Sequence, residues 1–276
     1  MALVPSHLPK SLVLAGAGKM GGSMLEGWLA AGLSPAGVTV IDPHVSDTMA
    51  ALCGERRIAL NPPAGSVKAP AALILAIKPQ MLDQAAPMLE PLAGPGTTII
   101  SILAGKTIRD LQTRFPAATA FVRAMPNLPA SIGKGATGAY ASAQVSDRGR
   151  AMANDLLSAS GIVEWVEDEG LIDAVTAVSG SGPAYVFLLA EELAKAGTAA
   201  GLPQDLAHRL ARATVAGAGA LLDQSELPAE QLRKNVTSPA GTTAAALDIL
   251  MGANGLEPLL RDAVAAAKRR AAELSG

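Results

Sequence analysis

Five short apolar runs separated by helical patterns fill the first half of the chain, and they restrict it to very few architectures. The runs are "SLVLA" (11–15), "VTVID" (38–42), "ALILAI" (72–77), "TTIISI" (97–102) and "ATAFVRAM" (118–125), with helical segments beginning near Met20, Ser46, Gln80 and Thr107 between them. Strands buried on both faces give near-continuous apolar runs, and strands alternating with helices pair in parallel. A doubly wound α/β sheet follows. Two further short strands are expected at "ATGAY" (136–140) and "GIVEWV" (161–166).

Beyond about residue 167 the strand pattern stops and helical periodicity takes over. Val186, Leu189, Leu193 and Ala196 form one stripe, with Glu192 and Lys195 away from it. Gly201 ends that helix and Pro203 opens the next, whose stripe is Leu206, Leu210, Ala213, Gly217 and Leu221. A third long helix runs from Glu257 to Leu274. With 276 residues there is enough chain for two domains, and we expect them at 1–167 and 168–276. Half of the residues are apolar but only 3% are aromatic, so the helices meet through Ala and Gly. Those small-residue faces exceed what one small helical domain hides, which points to a homo-oligomer built through the second half.

Several function classes lose support from charge and cysteine content. A net charge of −2, from 22 basic and 24 acidic residues, supplies no field for nucleic acid. Cys53 is the single cysteine, so neither an intrachain disulfide nor a multi-cysteine metal site can form. No spacing of histidines and carboxylates suits a metal. "SLVLAGAGKMGG" resembles a secretory segment, but glycine interrupts it within five residues and Lys19 ends it. The run "AALILAI" (71–77) is far shorter than the roughly 20 residues that span a bilayer. A cytoplasmic protein with no membrane partner is expected.

"GAGKMGG" is the first motif that carries chemistry. Gly16 allows the tight turn after the first strand, Gly18 lets a pyrophosphate approach, and Gly21 lets helix and sheet pack closely. The backbone of Lys19 and Met20 opens the helix whose N-terminus faces the phosphates. Asp42 ends the second strand 21 positions after Gly21, which completes a dinucleotide-binding frame. Its carboxylate either takes the adenosine-ribose hydroxyls, which favours NADH over NADPH, or caps the turn at Pro43. Lys19 and His44 are near enough to add positive charge, so the cofactor is expected to be NADPH or NADH. "LAIKPQ" puts Ala76, Lys78 and Pro79 at the carboxyl end of the next strand. Lys78 there is either a charged wall of the cleft or a solvated loop lysine. "MPNLPA" places Met125 and Asn127 in a rigid turn after the fifth strand, where polar groups reach the nicotinamide or simply close a loop.

Two polar helix starts stand in the second half. "SGSGPAY" (179–185) presents Ser181 and Gly182 ahead of Pro183, suited to an anion or to a close helix crossing. "TSPAGTT" offers Ser238, Gly241, Thr242 and Thr243 at the mouth of a helix running through Leu250, which suits a carboxylate or helix capping alone. Glu226 precedes Pro228 at another helix start, facing a cationic amine or solvent. None of the three histidines is placed as an acid or base.

"GAGKMG", "LAIKPQ", "SILAGKTI", "RAMPNLPA", "DAVTAVSGSGPAYVFLLAEELAKAG", "GLPQDLA" and "VTSPAGTTAAAL" together resemble the pyrroline-5-carboxylate reductases in order and spacing, over roughly residues 11–275. The resemblance implies a Rossmann-like N-terminal domain, an all-helical C-terminal dimerisation domain, and reduction of the cyclic imine (S)-1-pyrroline-5-carboxylate to L-proline by NADPH or NADH. It implies interlocked helical domains and a substrate pocket between them and the dinucleotide domain. By motif, Ser238, Gly241, Thr242 and Thr243 hold the substrate carboxylate, with the Thr243 hydroxyl nearest the imine nitrogen and Glu226 on the ring-nitrogen side. Lys78, Met125 and Asn127 match cofactor-side positions, and Asn61 matches an asparagine near the adenosine.

The chain also departs from this pattern. The family commonly has Asn or Gln at Lys19, Thr at Leu128, Gly at Ala240, and a neutral residue followed by Arg where Asp42 and Pro43 stand. Competing readings are another imine reductase, a β-hydroxyacid dehydrogenase, or a non-catalytic dinucleotide sensor. A hydroxyacid enzyme would want a lysine early in the second domain, and "SGSGPAYVFLL" has none.

Overall fold

Strand β1 (Leu12–Ala15) shows why the first half folds as it does: all four residues are buried, and alternate side chains enter two different cores. Leu12 and Leu14 join one apolar cluster, while Val13 and Ala15 join the other. The computed structural model describes residues 7–63 and 65–275. In it β1 pairs in parallel with β2 (Val38–Ile41) and β4 (Ala72–Leu75). The full sheet has the order β3-β2-β1-β4-β5-β6-β7-β8, where β3 is Ala59–Leu60, β5 Thr98–Ser101, β6 Ala120–Met125, β7 Gly135–Ala141 and β8 Gly161–Trp165. Among the described residues only the β6–β7 pairing is antiparallel.

Helices cover both faces. On one lie α1 (Lys19–Ala30), α2 (Asp47–Arg56) and α5 (Asp147–Ser158), whose Met24, Leu25, Trp28, Cys53 and Leu156 pack with Leu14, Val40 and Ile74. The buried Trp28 indole donates its Nε1 proton to the Leu156 carbonyl at 2.6 Å, so a large apolar side chain is placed without an unpaired polar atom. On the other face, α3 (Leu82–Leu89) and α4 (Ile108–Arg114) pack Leu82, Leu89 and Leu111 against Leu73, Leu75 and Ile99. Arg123 is buried in β6, where its guanidinium meets Glu169 at 3.2 Å and Asp173 at 3.4 Å, and donates to Ser275 Oγ at 3.3 Å. Glu169 also accepts the Ile108 amide proton that opens α4.

The chain divides into two compact units, one of residues 1–180 with 267–276, the other Ser181–Ala266. The first is the mixed α/β unit and includes α6 (Leu171–Val175), followed by a π-helical turn over Thr176–Gly180. The second holds α7 (Gly182–Ala199), α8 (Gln204–Gln224), α9 (Ala229–Asn235), α10 (Thr242–Leu250) and the start of α11 (Leu256–Ser275). The expected helix break is present: Gly201 has φ +103 and Pro203 caps α8. In the α7–α8 pair Gly197 faces Ala207, so a Cβ there would lie 3.3 Å from the alanine Cβ. The long apolar side chains of α7 stay outside this contact: Val186, Phe187, Leu188 and Leu189 are all exposed in the single chain.

Candidate active site

The glycine loop is shaped by its neighbours rather than by its own hydrogen bonds alone. Gly16 has φ +92, and a Cβ on it would fall 2.7 Å from the backbone of Ala76 and Ile77. A Cβ on Gly21 would fall 2.1 Å from the Gly16 carbonyl oxygen, so α1 crosses the loop where only glycine fits. Gly18 has nothing within 4 Å of its would-be Cβ. That open side is where a phosphate needs to approach. Gly18 caps α1 without a side-chain bond, leaving the amides of the first turn directed outward at the positive end of the helix.

Asp42 is held from four sides. One carboxylate oxygen accepts from the Ala17 amide at 2.8 Å and the other from the His44 amide at 2.8 Å. Its backbone is gripped by Asn61, whose Oδ1 accepts from the Asp42 amide and whose Nδ2 donates to the Asp42 carbonyl, both at 2.8 Å. Asn61 thus fixes Asp42 from behind. The carboxylate does close the turn over Pro43, as the simpler reading had it, and it also faces a cleft of about 630 Å³ at the carboxyl edge of the sheet.

That cleft brings together Gly16, Gly18, Asp42, Ala76 and Lys78. Lys78 is exposed and lines the wall, at the start of the short turn Pro79–Met81. Lys19, Met20, Gly21, Asn61, Pro79, Met125 and Asn127 do not line it. The cleft is also lined by a surface that sequence reasoning missed: Met81, Gln84, Ala85 and Met88, the last 52% exposed. Their spacing on and beside α3 is that of an ordinary core stripe; the polar Gln84 among them was the available signal. Glycines that a Cβ would overfill, open amides and a fixed carboxylate fit a dinucleotide.

On the second unit, the turn 236–243 leads into α10, whose first-turn amides at Thr242 and Thr243 have no backbone acceptor among the described residues. Gly241 is the N-cap, in an extended conformation, and no side chain caps the helix. The hydroxyls of Ser238, Thr242 and Thr243 therefore do not satisfy the first-turn amides, which capping alone would require. The Gly241 amide closes the loop onto the Ser238 carbonyl at 3.1 Å, and a Cβ on Gly241 would strike Ser238 Oγ. Ala240 sits at φ +57, a left-handed position that glycine occupies more readily. Thr243 is half-buried; Ser238 and Thr242 are exposed. Glu226 is exposed in the connection between α8 and α9. "SGSGPAY" begins α7 with Ser181 as an N-cap that makes no side-chain capping bond and with Pro183 in the first turn.

A family model described as pyrroline-5-carboxylate reductase dimerisation matches residues 169–274. The pyrroline-5-carboxylate reductase of Pseudomonas aeruginosa is 41% identical over 265 residues, covering 96% of this chain and 96% of its own. The chain belongs to the pyrroline-5-carboxylate reductase family. A reductase structure from Coxiella burnetii superimposes with a TM-score of 0.89 at 32% identity, covering 97% of this chain and 99% of that one. A Plasmodium falciparum pyrroline carboxylate reductase with NADP bound gives 0.79 at 26% identity, over 96% and 98%. Residues 11–105 match a model described as NADP oxidoreductase, coenzyme F420-dependent. The reductase family's dimerisation segment coincides with the helices whose apolar side chains stand exposed, so self-association runs through them.

Proposed function

We propose that this chain reduces (S)-1-pyrroline-5-carboxylate to L-proline with NADPH or NADH, the last step of proline biosynthesis. The observation that carries the reading is the full-length kinship with pyrroline-5-carboxylate reductases, joined to a dinucleotide cleft that contains Gly16, Gly18 and Asp42. When bound, the reduced dinucleotide supplies the hydride. The chain's own residues bind and orient. The amides opening α1 hold the pyrophosphate, Asp42 takes the adenosine ribose and disfavours a 2′-phosphate, and Lys78 walls the cleft.

On the second unit the first-turn amides of Thr242 and Thr243, with the Ser238 hydroxyl and the Gly241 turn that leaves room beside them, receive the substrate carboxylate at the positive end of α10. A protonated cyclic imine is already electrophilic at carbon, so no strong acid is demanded of the protein. The Thr243 hydroxyl steadies the ring nitrogen, and Glu226 lies toward that nitrogen's side. Correct placement is then the main source of rate, because well-oriented reactants remove several kcal/mol of entropic barrier. We place the substrate-binding helical segment at 168–276, assembled as a dimer or larger ring in the cytoplasm. The apolar run 171–199 is long enough to cross a bilayer; we assign its exposed face to self-association instead, because the dimerisation model covers it.

Steady-state oxidation of each reduced cofactor with pyrroline-5-carboxylate tests the reading and shows which cofactor is preferred. Thr243→Ala is expected to lower kcat about 10- to 100-fold while leaving cofactor KM unchanged. Unchanged turnover in that variant would remove Thr243 from the reaction. Absence of turnover in the unaltered protein with either cofactor would sink the reading itself.

A further inference from the structure

Asn127, expected at the cofactor, is 9% exposed and bonded to the protein through both ends of its side-chain amide. Its Oδ1 accepts from the Ala136 amide at 2.9 Å, and its Nδ2 donates to both the carbonyl and the hydroxyl oxygen of Ser179, each at 3.2 Å. The Ser179 hydroxyl in turn donates to the Ala136 carbonyl at 2.7 Å. Three residues from three segments thus close one ring of hydrogen bonds. Its polarity is fixed, because the Ala136 amide can only donate and its carbonyl only accept. A ligand would have to break the ring to take a proton from the Asn127 amide nitrogen.

The ring seats an unusual piece of backbone. Ser179 lies in the π-helical turn Thr176–Gly180, a rare form that is frequent at functional sites. The seat is sterically prepared as well. A Cβ on Gly180 would lie 3.0 Å from the Met125 methyl, and one on Gly138 would lie 2.5 Å from Val175 Cγ1. Met125 and Asn127, on either side of Pro126, therefore pack and bond directly onto Ser179 and Gly180. This turn leaves β6 at the same carboxyl edge of the sheet from which β1 and β4 deliver Gly16 and Ala76.

We propose that Asn127 and Ser179 are a positioning pair for hydride transfer: they lock the Met125–Asn127 turn and the π turn into one rigid body without contacting cofactor or substrate. The pair rests on the reductase reading above. Its loss leaves dinucleotide binding intact and degrades the alignment of the reacting atoms, so the effect falls on kcat.

The test compares Ser179→Ala and Asn127→Asp with the unaltered protein, by thermal midpoint, equilibrium binding of the reduced cofactor, kcat, and the primary deuterium isotope effect from cofactor labelled at the transferred hydrogen. In Ser179→Ala, kcat is expected to fall about 10- to 100-fold, the size of a small misplacement. Cofactor Kd should stay within about threefold, and the isotope effect should rise as hydride transfer becomes limiting. Asn127→Asp keeps the acceptor for Ala136 but sets a carboxylate against the Ser179 carbonyl. Its kcat should therefore recover as pH falls and the protonated acid regains a donor.

Wild-type kcat in both folded variants overturns the pair. A loss of cofactor affinity that accounts for the whole defect, with an unchanged isotope effect, overturns it too, since Asn127 would then act on the cofactor directly. Should Asn127→Asp fail to fold, Ser179→Ala decides alone, because it removes one hydroxyl. No turnover in the unaltered protein defeats the reductase reading and this inference with it; turnover there with unimpaired variants defeats only the inference.

Discussion

Gly18 and Gly21 stand three residues apart, and a methyl group added to each meets opposite surroundings. At Gly18 it enters open space in the cleft, so Gly18→Ala should cost no more than the roughly 1 kcal/mol of a poorer N-cap. Cofactor KM should rise at least about tenfold as the pyrophosphate is pushed back. At Gly21 the methyl meets the Gly16 carbonyl at 2.1 Å, so Gly21→Ala should cost about 1–3 kcal/mol in the fold as α1 shifts. Thermal denaturation beside cofactor kinetics separates the two, and equal loss of stability in both would refute the assignment of Gly18 to the ligand side. Ala240 is the converse case. Its left-handed φ of +57 strains an alanine, and Ala240→Gly should raise stability by roughly 0.5–1 kcal/mol in a thermal melt. The family's glycine at this position, noted from the resemblance, now has a conformational reason.

Among the elements, α4 shows how a local signal becomes a pH-dependent one. Thr107 and Asp110 form a reciprocal capping box, with the Thr107 amide and hydroxyl both donating to Asp110 Oδ2 at 2.8 Å. Burial alone would raise the Asp110 pKa, but these bonds, aided by Lys106 and Arg114, outweigh it and hold the carboxyl below its ordinary value. A depressed folded pKa stabilises the protein fully above the unfolded value, near pH 4, and that contribution is lost as pH falls through the folded value. Asp110→Asn should therefore cost about 1 kcal/mol at pH 7, and its thermal midpoint should converge on that of the unaltered protein in acid. A gap that persists at pH 3 would show that the carboxylate's charge is irrelevant. The long strands were legible because burial on both faces leaves continuous apolar runs, whereas β3, two residues of Ala and Leu, carries no such signal. The π turn was illegible for a different reason: the partners that bond and pack against its Ser179 and Gly180, namely Asn127, Ala136 and Met125, are brought in by the sheet from far along the sequence. The α3 wall of the cleft escaped because Met81, Ala85 and Met88 share the spacing of a core stripe.

At the scale of the whole molecule, the second unit is incomplete as a single chain. Its helix interiors meet through Ala194, Ala207 and Ala211, which are buried, while Phe187 remains 59% and Ile249 78% exposed. Fully burying one such side chain is worth about 1.5–3 kcal/mol, so several of them left in water would make an isolated helical unit marginal. The small-residue stripes read from the sequence are therefore only half of the packing code: alanines join helices within the chain, and we propose that the larger residues exposed beside them meet another copy. Phe187→Asp tests this directly. A charge at that position costs an isolated chain little, because the residue is already in water, but it cannot be desolvated against an apolar partner without a heavy penalty. Light scattering of the unaltered protein should give a multiple of 27.8 kDa, and the variant should move toward that single-chain mass and melt at a lower temperature. An unchanged assembly would exclude this face of α7 from the interface and require that another surface of residues 169–274 carry the self-association.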